Sequence, residues 1–457
     1  MGHVSHDDLA ARIRGLETLQ QISSATFSGQ VYLVGGALRE IALGCLPKDY
    51  DFALGRPADL TTLENLLGTH SFILGKKPIQ TYRIVTGSLS LDITFLKEGI
   101  EQDLARRDFT INAIAYDVRE GHLIDPLGGL QDIDRRVIRQ PQKERLIEDP
   151  LRMLKAIRHF ASLSDFSIAP ELAKAIEEHK DLIATTAPER IKYELDLIIT
   201  APEAHKGLAL AVETGLLFRI IPEFLPMVEM DREKGFELEA FGHTIEGFRH
   251  GAKASTIYTF DGKQLRDTAY SLLFHDLGKP YTFSFDEAKK RVHFFHHERY
   301  SRGIASRVMD RLRFSTAEMK VISTLIENHM RLFLISHPDS TDKAIRRLVY
   351  KMGDLTPGLV LLTLLDMYGT TKGAENPSTR QVRKRCTQAL AAYEEWKKEP
   401  LPRIVNGHDL LSMGFSEGPF LGRVLEEVRE RQIAGEITEK ERALEYAARV
   451  LGAADRG

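Results

Sequence analysis

The feature that most constrains the fold is a change in the pattern of apolar residues near residue 145. Before it, short β-branched runs separated by glycine turns predict strands. After it, apolar residues recur at intervals of three and four, as in amphipathic helices. We therefore predict an α+β protein, with an α/β head that contains a small mixed sheet and an all-helical body. The predicted strands are VYLVGG, DYDFAL, SFILGK, TYRIVTG, LDITFL and INAIAYDV, with HLIDP following.

Composition excludes several classes of protein. The 457 residues are enough for several domains. The two cysteines, Cys45 and Cys386, cannot form a disulfide framework, which favours a reducing cytoplasm. No apolar run approaches the roughly 20 residues that span a bilayer, and the N-terminus lacks the apolar core of a signal peptide, so we expect no membrane association. The net charge of −3 still allows a local basic surface that binds nucleic acid.

A glycine pair and three aspartates form the first candidate site. Gly35 and Gly36 precede a predicted helix, where glycine lets backbone amides approach phosphate oxygens. Asp49 and Asp51 lie two apart on a predicted strand, so they face the same way and can share a cluster of metal ions. Asp92, in SLDITFL, is a third carboxylate on a neighbouring strand. The alternatives are solvated charges for the pair and an edge-strand surface charge for Asp92.

Five ordered motifs in this region carry a family resemblance. GGALRE with KDYDFAL resembles the signature of the nucleotidyltransferase superfamily that includes DNA polymerase beta. DLARRDFTINAIAYD, followed by LIDPLGGLQDI, is similar to one branch, the class II tRNA nucleotidyltransferases (CCA-adding enzymes) and the related bacterial poly(A) polymerases. IEDPLRMLKAIRHFA and APERIKYELDLII resemble the next two motifs of that branch. The resemblance therefore covers the chain from Val31 to about Thr200.

The resemblance implies a nucleotidyl transfer site in a polymerase-beta-like head. It implies that Asp49 and Asp51 hold two Mg²⁺ ions and that Asp92 is a third catalytic carboxylate. The two ions would activate the terminal 3′-hydroxyl while pyrophosphate leaves. In RRDFTINA, the arginines would neutralise the triphosphate and Asp108 would accept from a ribose hydroxyl. The alternative for RRD is a surface salt-bridge cluster. The implied nucleotide-binding residues are Gly35, Gly36, Arg39, Arg106, Arg107, Asp108, Asn112, Asp149, Arg152, Arg158 and Arg190.

EDPLR is the motif that would choose the base. Asp149 and Arg152 are three residues apart, hence on one face of a helix that Pro150 can begin. A carboxylate acceptor beside a guanidinium donor matches the amino group and ring nitrogen of cytosine and of adenine, whereas uracil O4 and guanine O6 would face the carboxylate. The alternative is an exposed ion pair. Arg190 resembles a position that supports this helix, and we expect Glu194 to pair with it.

A second constellation lies in the helical body. AYSLLFHDLGKP places His275 beside Asp276, with His243 upstream and Asp366 downstream. This order resembles the metal-dependent HD phosphohydrolase domain, with His297 and His329 at similar positions. Imidazole and carboxylate together suit a transition metal. Because FHHERYSRG departs from the usual Gly-His-Glu-Glu pattern, a structural domain without hydrolytic activity is the alternative.

The sequence as a whole predicts a cytoplasmic tRNA nucleotidyltransferase that acts on the tRNA 3′ end with CTP and ATP, without a protein partner. Two basic stretches, eight Lys and Arg between Arg135 and Arg158 and four between Arg380 and Arg385, are candidate phosphate contacts; solvated helix faces are the alternative. NGHDLLSMGFSEGPFLGRVLEEV resembles the family's tRNA-binding C-terminal segment. The predicted domains are a catalytic head (1–140), a nucleotide-selecting neck (141–225), an HD-type domain (226–375) and a tRNA-binding tail (376–457).

Which nucleotides are added depends on one short connection. Only LKEGIEQDLA separates LDITF from RRD, so the flexible loop of full CCA-adding members is shortened, as in CC-adding members of the family. We therefore predict CC addition, and the alternative is addition of CMP and AMP to build the full CCA end. The rival functions are a poly(A) polymerase, a phosphohydrolase with an inactive head and a non-catalytic RNA-binding protein.

Overall fold

The computed structural model describes residues 5–74, 80–87, 89–142, 144–233, 241–337, 339–398 and 402–454. These fall into two compact units, residues 1–220 and 221–457. The predicted strand SFILGK extends beyond the described residues at Gly75 and Lys76, and so does Lys143 of the first basic stretch.

The first unit begins with a mixed seven-stranded sheet in the order β3-β4-β5-β2-β1-β6-β7. Strands β2 and β5 pair in parallel, and the other neighbours pair in antiparallel fashion. All four residues of the central strand β1 are buried. The strands are β1 Val31–Val34, β2 Asp49–Leu54, β3 Phe72–Leu74, β4 Thr81–Thr86, β5 Leu89–Phe95, β6 Ala115–Asp117 and β7 Leu123–Ile124. The predicted α/β head with a small mixed sheet is therefore confirmed.

After β7 the first unit is mainly helical. Two short strands, β8 Val137–Ile138 and β9 Ser167–Ile168, pair in parallel beside the later helices. Ile111 and Asn112, predicted in a strand, form a 3₁₀ turn before β6. The helices of this unit are α1 His6–Arg14, α2 Glu17–Ser23, α3 Gly36–Ala42, α4 Ala58–Leu67, α5 Ile100–Ala105, α6 Gly129–Asp134, α7 Glu144–Glu148, α8 Leu151–Ser162, α9 Pro170–His179, α10 Pro188–Ile199, α11 Ala204–Glu213 and α12 Leu216–Ile220.

The second unit is helical, as predicted, apart from one hairpin that the pattern did not indicate, β10 Phe283–Asp286 with β11 Arg291–Phe294. The helical stretch between residues 297 and 328 is interrupted, because Arg313 has a φ of 62° and Ser315 caps a new helix. The helices are α13 Leu225–Glu233, α14 Gly242–Arg249, α15 Gly251–Ser255, α16 Gly262–Phe274, α17 Lys279–Thr282, α18 His297–Arg311, α19 Thr316–Asn328, α20 Arg331–Leu334, α21 Asp342–Met352, α22 Thr356–Thr371, α23 Pro377–Lys398, α24 Gly407–Ser412, α25 Pro419–Ile433 and α26 Lys440–Ala454.

One helical run in the second unit is apolar enough to cross a membrane by length and composition alone. It joins α21 to α22 over Asp342–Thr371, with a mean hydropathy of 1.4. However, 72% of that window is buried inside the protein. Helix α22 is therefore a core helix, packed against α14, α16 and α23.

Candidate functional site

Two adjacent strands, β2 and β5, carry the three predicted carboxylates. The register pairs Asp51 of β2 with Asp92 of β5, and Asp92 with Arg83 of β4. Asp49 precedes Asp51 by two residues, so the strand geometry directs both to the same face. Arg83 binds Asp92 through both carboxylate oxygens, at 2.6 Å each. The sheet thus brings the three predicted carboxylates together and adds a guanidinium that the sequence pattern did not indicate.

The environment of Asp51 disfavours its charged form. Burial, opposed by Arg107 and reinforced by Asp92 and Asp49, raises the pKa of Asp51 to about 6. A carboxyl group with a raised pKa near two other carboxylates gains stability when a cation binds. The donor set, three carboxylates on adjacent strands, is also the type that Mg²⁺ prefers.

Gly35 has to be a glycine in this site. Its φ is 81°, and a Cβ there would lie 2.8 Å from both Arg107 Nη1 and Asp51 Oδ2. Any larger residue would therefore separate the RRD arginine from the aspartate. The Gly35 amide donates to the Ile114 carbonyl at 3.4 Å, so it holds the turn.

The RRD arginines border a basic cavity. Arg106 and Arg107 share Asp103, at 3.0 and 3.1 Å. The cavity has a volume of about 610 Å³ and is lined by Gln80, Tyr82, Thr94, Phe95, Lys97, Asp103, Arg106, Arg107, Arg145, Glu148 and Arg152. Five cations and two acids leave it positively charged, and therefore suited to a polyanion.

One residue of the EDPLR motif lines this cavity. Arg152 lines the cavity and donates from Nη2 to the Arg106 carbonyl at 3.0 Å. The prediction that Asp149 lies on the same helix is wrong, because α7 ends at Glu148 and α8 begins at Leu151. Asp149 lies in the break, where Pro150 starts the new helix and the Arg152 amide donates to the Asp149 carbonyl at 3.0 Å.

The partner predicted for Glu194 is also wrong. Arg190 lies 3.2 Å from Asp149, and Glu194 lies 3.4 Å from Arg158. Glu194 is buried on the side of α10 that packs on α8, whereas Arg190 is half exposed one turn earlier. Arg190 therefore contacts the break between α7 and α8.

A buried polar group lies behind the RRD motif. Asn112 accepts a hydrogen bond from Arg39 Nη1 and donates from Nδ2 to Asp108 Oδ1 at 3.2 Å. Lys155 Nζ lies 4.0 Å from Asp108 Oδ2. The predicted residues Arg39, Asp108 and Asn112 thus form one connected group with Lys155. This group orients the Asp108 carboxylate.

The second cluster is built by close helix crossings in the other unit. A Cβ on Gly369 of α22 would lie 2.2 Å from the His243 carbonyl oxygen of α14, so these helices pack without an intervening side chain. A Cβ on Gly278 would lie 2.3 Å from the His297 carbonyl oxygen, which draws α18 onto the His-Asp pair. Gly247 of GHTIEG takes part in the same packing, since a Cβ there would lie 2.9 Å from the Leu365 carbonyl oxygen of α22.

The predicted ligands converge on Asp276. Oδ2 of Asp276 lies 2.9 Å from His243 Nε2 and 3.1 Å from His275 Nε2, and Oδ1 lies 3.2 Å from His297 Nε2. Asp366 Oδ1 lies 3.5 Å from His275 Nε2. Within the described residues, the two groups of three ligand atoms that all lie within 4.8 Å of one another are His243, His275 and Asp366, and His275, Asp276 and His329.

The hydrogen bonds of the imidazoles direct Nε2 into the cluster. Nδ1 of His275, His297 and His329 lies 2.7–2.8 Å from a backbone carbonyl oxygen. Because a carbonyl only accepts, Nδ1 carries the hydrogen, as it does in histidine metal ligands. Nε2 of His297 and of His329 then lie only 3.1 Å apart. Two such nitrogens repel each other unless a cation or proton lies beside them, so the donor set fits a metal.

The charges around this cluster support the same conclusion. Burial lowers the pKa of His275, but Asp276 and Asp366 outweigh it and raise that pKa to about 10. Burial and the neighbouring His275 lower the pKa of His329 to about 3. One proton on His275 therefore partly compensates the carboxylates.

Sequence reasoning missed Arg83, Asp103, His159 and Lys279. Lys279 Nζ lies 2.5 Å from Asp276 Oδ2. Lys279 and Asp103 were visible as charges three or four residues from predicted site residues. Arg83 needed the strand register, and His159 needed the packing of α8 on the head. The chemical roles of the site residues stay predictions, since a contact by itself does not assign a role.

Comparison with known proteins finds similarity over most of the chain. Residues 79–139 match the poly A polymerase head domain, 165–227 the probable RNA and SrmB-binding site of polymerase A, and 241–369 the HD domain. The chain is 32% identical to an A-adding tRNA nucleotidyltransferase of Deinococcus radiodurans, over 91% of this chain and 94% of that protein. It is 32% identical to a CC-adding tRNA nucleotidyltransferase of Thermus thermophilus, over 90% and 91%. The fold is similar to that of the Bacillus stearothermophilus CCA-adding enzyme in complex with CTP, with a TM-score of 0.63, 23% identity and 99% coverage of both chains.

Proposed function

This chain belongs to the tRNA nucleotidyltransferase family, enzymes that transfer nucleotides, and we propose that it adds CMP to the tRNA 3′ end and stops before the terminal adenosine. One observation carries the choice of nucleotide. Strand β5 ends at Phe95 and α5 begins at Ile100, so only Leu96–Gly99 connects them. Overall identity does not decide, since an A-adding and a CC-adding relative are equally similar.

The transfer is proposed to occur at Asp49, Asp51 and Asp92, which would hold Mg²⁺. When bound there, Mg²⁺ lowers the pKa of the attacking hydroxyl and neutralises charge on the triphosphate. The protein's own contribution is a fixed row of carboxylates, with Asp92 oriented by Arg83. Gly35 keeps Arg107 beside Asp51, so a phosphate next to the carboxylates meets a cation.

We propose that the basic cavity binds the nucleoside triphosphate. Four of its cations, Lys97, Arg106, Arg107 and Arg145, suit phosphate oxygens. Asp149 and Arg152 would select cytosine through its amino group and ring nitrogen, and Arg190 would hold Asp149 in place. Asp108, oriented by Asn112, would accept from a ribose hydroxyl.

The remaining proposals concern the tRNA and its compartment. The basic residues between Arg135 and Arg158 and those between Arg380 and Arg385 would contact tRNA phosphates, with salt-sensitive affinity. We propose that the enzyme works in the cytoplasm, where tRNA is repaired, and the predicted domains 1–140, 141–225, 226–375 and 376–457 remain proposals.

The decisive experiment uses tRNA that lacks CCA, with CTP alone, ATP alone and both. We expect products extended by two cytidines, and no further extension with ATP. A full CCA product would overturn CC-only addition. Extension of unstructured RNA with ATP and no use of CTP would instead identify a poly(A) polymerase. Asp49→Ala with Asp51→Ala is the control that removes transfer.

A second activity, phosphate-ester hydrolysis, is proposed for the His-Asp cluster because the Nε2 atoms of His297 and His329 face each other at 3.1 Å. A transition metal would be held by the residues of this cluster, His243, His275, His297, His329, Asp276 and Asp366. Asp276 lies between His243 and His275 on one side and His297 on the other. A bound metal supplies an activated water to the ester. Hydrolysis of a generic phosphodiester such as bis-p-nitrophenyl phosphate should survive the Asp49→Ala, Asp51→Ala double change and disappear with His275→Ala. No metal-dependent hydrolysis in the wild-type protein would leave the cluster with a structural role.

A further inference from the structure

His159 is a buried histidine on α8 with an unusual set of neighbours. It is 8% exposed, and its ring packs edge-on against Phe109, with centroids 5.4 Å apart. Its Nε2 lies 3.4 Å from Asn112 Nδ2 and 3.3 Å from Arg158 Nη2. His159 therefore connects α8, which also carries Arg158, to Asn112 of the RRDFTINA segment.

The chemistry of these neighbours fixes the state of the ring. The Asn112 amide oxygen accepts from Arg39, so its nitrogen is the group that faces His159. An amide nitrogen and a guanidinium can only donate. Nε2 of His159 must therefore accept, which requires a neutral ring with its hydrogen on Nδ1.

The surrounding charges favour the same neutral state. Burial comes first, and the cations Arg39 and Arg158 add to it, so that the pKa of His159 is well below its ordinary value. Asp108 opposes this shift but does not reverse it. The imidazole thus stays an acceptor at neutral pH.

We propose that His159 is a positioning residue for ribose recognition, acting through Asn112 on Asp108. Nδ2 of Asn112 is shared between His159 Nε2 and Asp108 Oδ1, at 3.4 and 3.2 Å. Without the acceptor at His159, only Arg39 and Asp108 orient the Asn112 amide, so its bond to Asp108 is held less rigidly. The Phe109 amide still donates to the same Asp108 oxygen at 3.0 Å, so the effect is a partial loss of orientation. The inference rests on the proposed function, since it requires Asp108 to bind the 2′-hydroxyl of the incoming CTP.

Two substitutions separate the acceptor from the bulk of the ring. His159→Gln keeps an acceptor oxygen near the position of Nε2, whereas His159→Phe keeps an aromatic ring against Phe109 and has no acceptor. Both variants have a neutral side chain, so neither adds charge beside Arg39 and Arg158. A purely structural role would affect melting temperature without changing the choice between ribose and deoxyribose.

The test measures kcat/KM for single CMP addition to tRNA lacking CCA, with CTP and with 2′-deoxy-CTP. Losing one buried hydrogen bond predicts about a tenfold fall in the CTP preference of His159→Phe. His159→Gln should stay within about threefold of the wild type, because its acceptor is retained. A wild-type preference in His159→Phe, or an equal fall in His159→Gln, would overturn the inference.

A second variant covers a folding failure of His159→Phe. Asn112→Ala breaks the same chain of contacts at its other end, and should reduce the CTP preference to a similar extent. An unchanged preference there would also overturn the inference. A wild-type protein that adds no CMP would overturn the proposed function, whereas one that adds CMP and dCMP equally well would overturn the ribose contact of Asp108 and the role of His159, but not CMP addition.

Discussion

Arg83 holds Asp92 with two hydrogen bonds of 2.6 Å, Nε to Oδ1 and Nη2 to Oδ2. The two residues are register partners on β4 and β5, and Asp92 is in turn the partner of Asp51. Both oxygens of the third carboxylate are therefore occupied by a guanidinium. Any cation that uses Asp92 has to compete with Arg83.

Arg83→Gln should therefore lower the concentration of Mg²⁺ that the enzyme needs. Removing a positive charge beside three carboxylates makes the site more negative and frees Asp92. Because Arg83 is partly exposed and screened, we expect the Mg²⁺ concentration for half-maximal activity to fall only about threefold to tenfold. Titrating CMP addition against Mg²⁺ measures it, with Lys174→Gln on the surface of α9 as the control. A higher Mg²⁺ requirement would contradict a metal role for Asp92.

Asp51→Asn should abolish transfer and yet stabilise the metal-free protein. The pKa of Asp51 is about 6 in the folded protein, against 3.8 for an unperturbed aspartate. When the pKa of a carboxyl group is raised in the folded protein, its contribution to the free energy of unfolding is fully present below the unfolded pKa of 3.8. That contribution is lost as the pH rises through the folded pKa of about 6. The difference corresponds to at most roughly 3 kcal/mol at pH 8.

Thermal melting in EDTA checks this expectation. The variant should melt above the wild type at pH 8, and the gap should shrink towards pH 4.5, which serves as the internal control. Since a bound cation offsets the cost of the charge, Mg²⁺ should also narrow the gap. A variant that melts below the wild type at pH 8 would show that the Asp51 carboxylate stabilises the fold.

Asp149→Asn should relax the choice of base. A carboxylate can only accept, whereas an amide can turn its nitrogen towards uracil O4 and donate. We expect UTP incorporation relative to CTP to rise about tenfold, since the amide can pair with uracil O4, which the carboxylate repels. Competition between the two nucleotides on tRNA measures the ratio, with Glu178→Gln on α9 as the matched carboxylate-to-amide control. An unchanged ratio would place base selection elsewhere.

Metal binding at the His-Asp cluster should release a proton. His275 has a pKa of about 10 in the metal-free protein, so it is protonated at pH 7.5, and a metal ligand must be neutral. Calorimetric titration with Co²⁺ in two buffers of different ionisation enthalpy should give about one proton released per cluster. His275→Gln, which lacks this proton, should release less and bind more weakly. Binding without proton release would mean that the metal does not displace the His275 proton.

The sequence by itself determined the main architecture. The short β-branched runs that predicted β2, β4 and β5 are local features, because such side chains favour the extended backbone of their own segment. The three-to-four spacing of the later segments similarly predicted α8, α16 and α22. The aspartates two apart and the His-Asp pair were also visible, since their relationship lies within one strand or one helix end.

Only the tertiary structure decided which distant groups meet. Nothing local pairs Arg83 with Asp92, gives Glu194 to Arg158 rather than Arg190, or places His159 beside Asn112. Those contacts depend on strand register and on which face of a helix is buried, and both are set by packing the whole unit. The sequence therefore indicated the chemical groups, while burial and packing fixed their charge states and their partners.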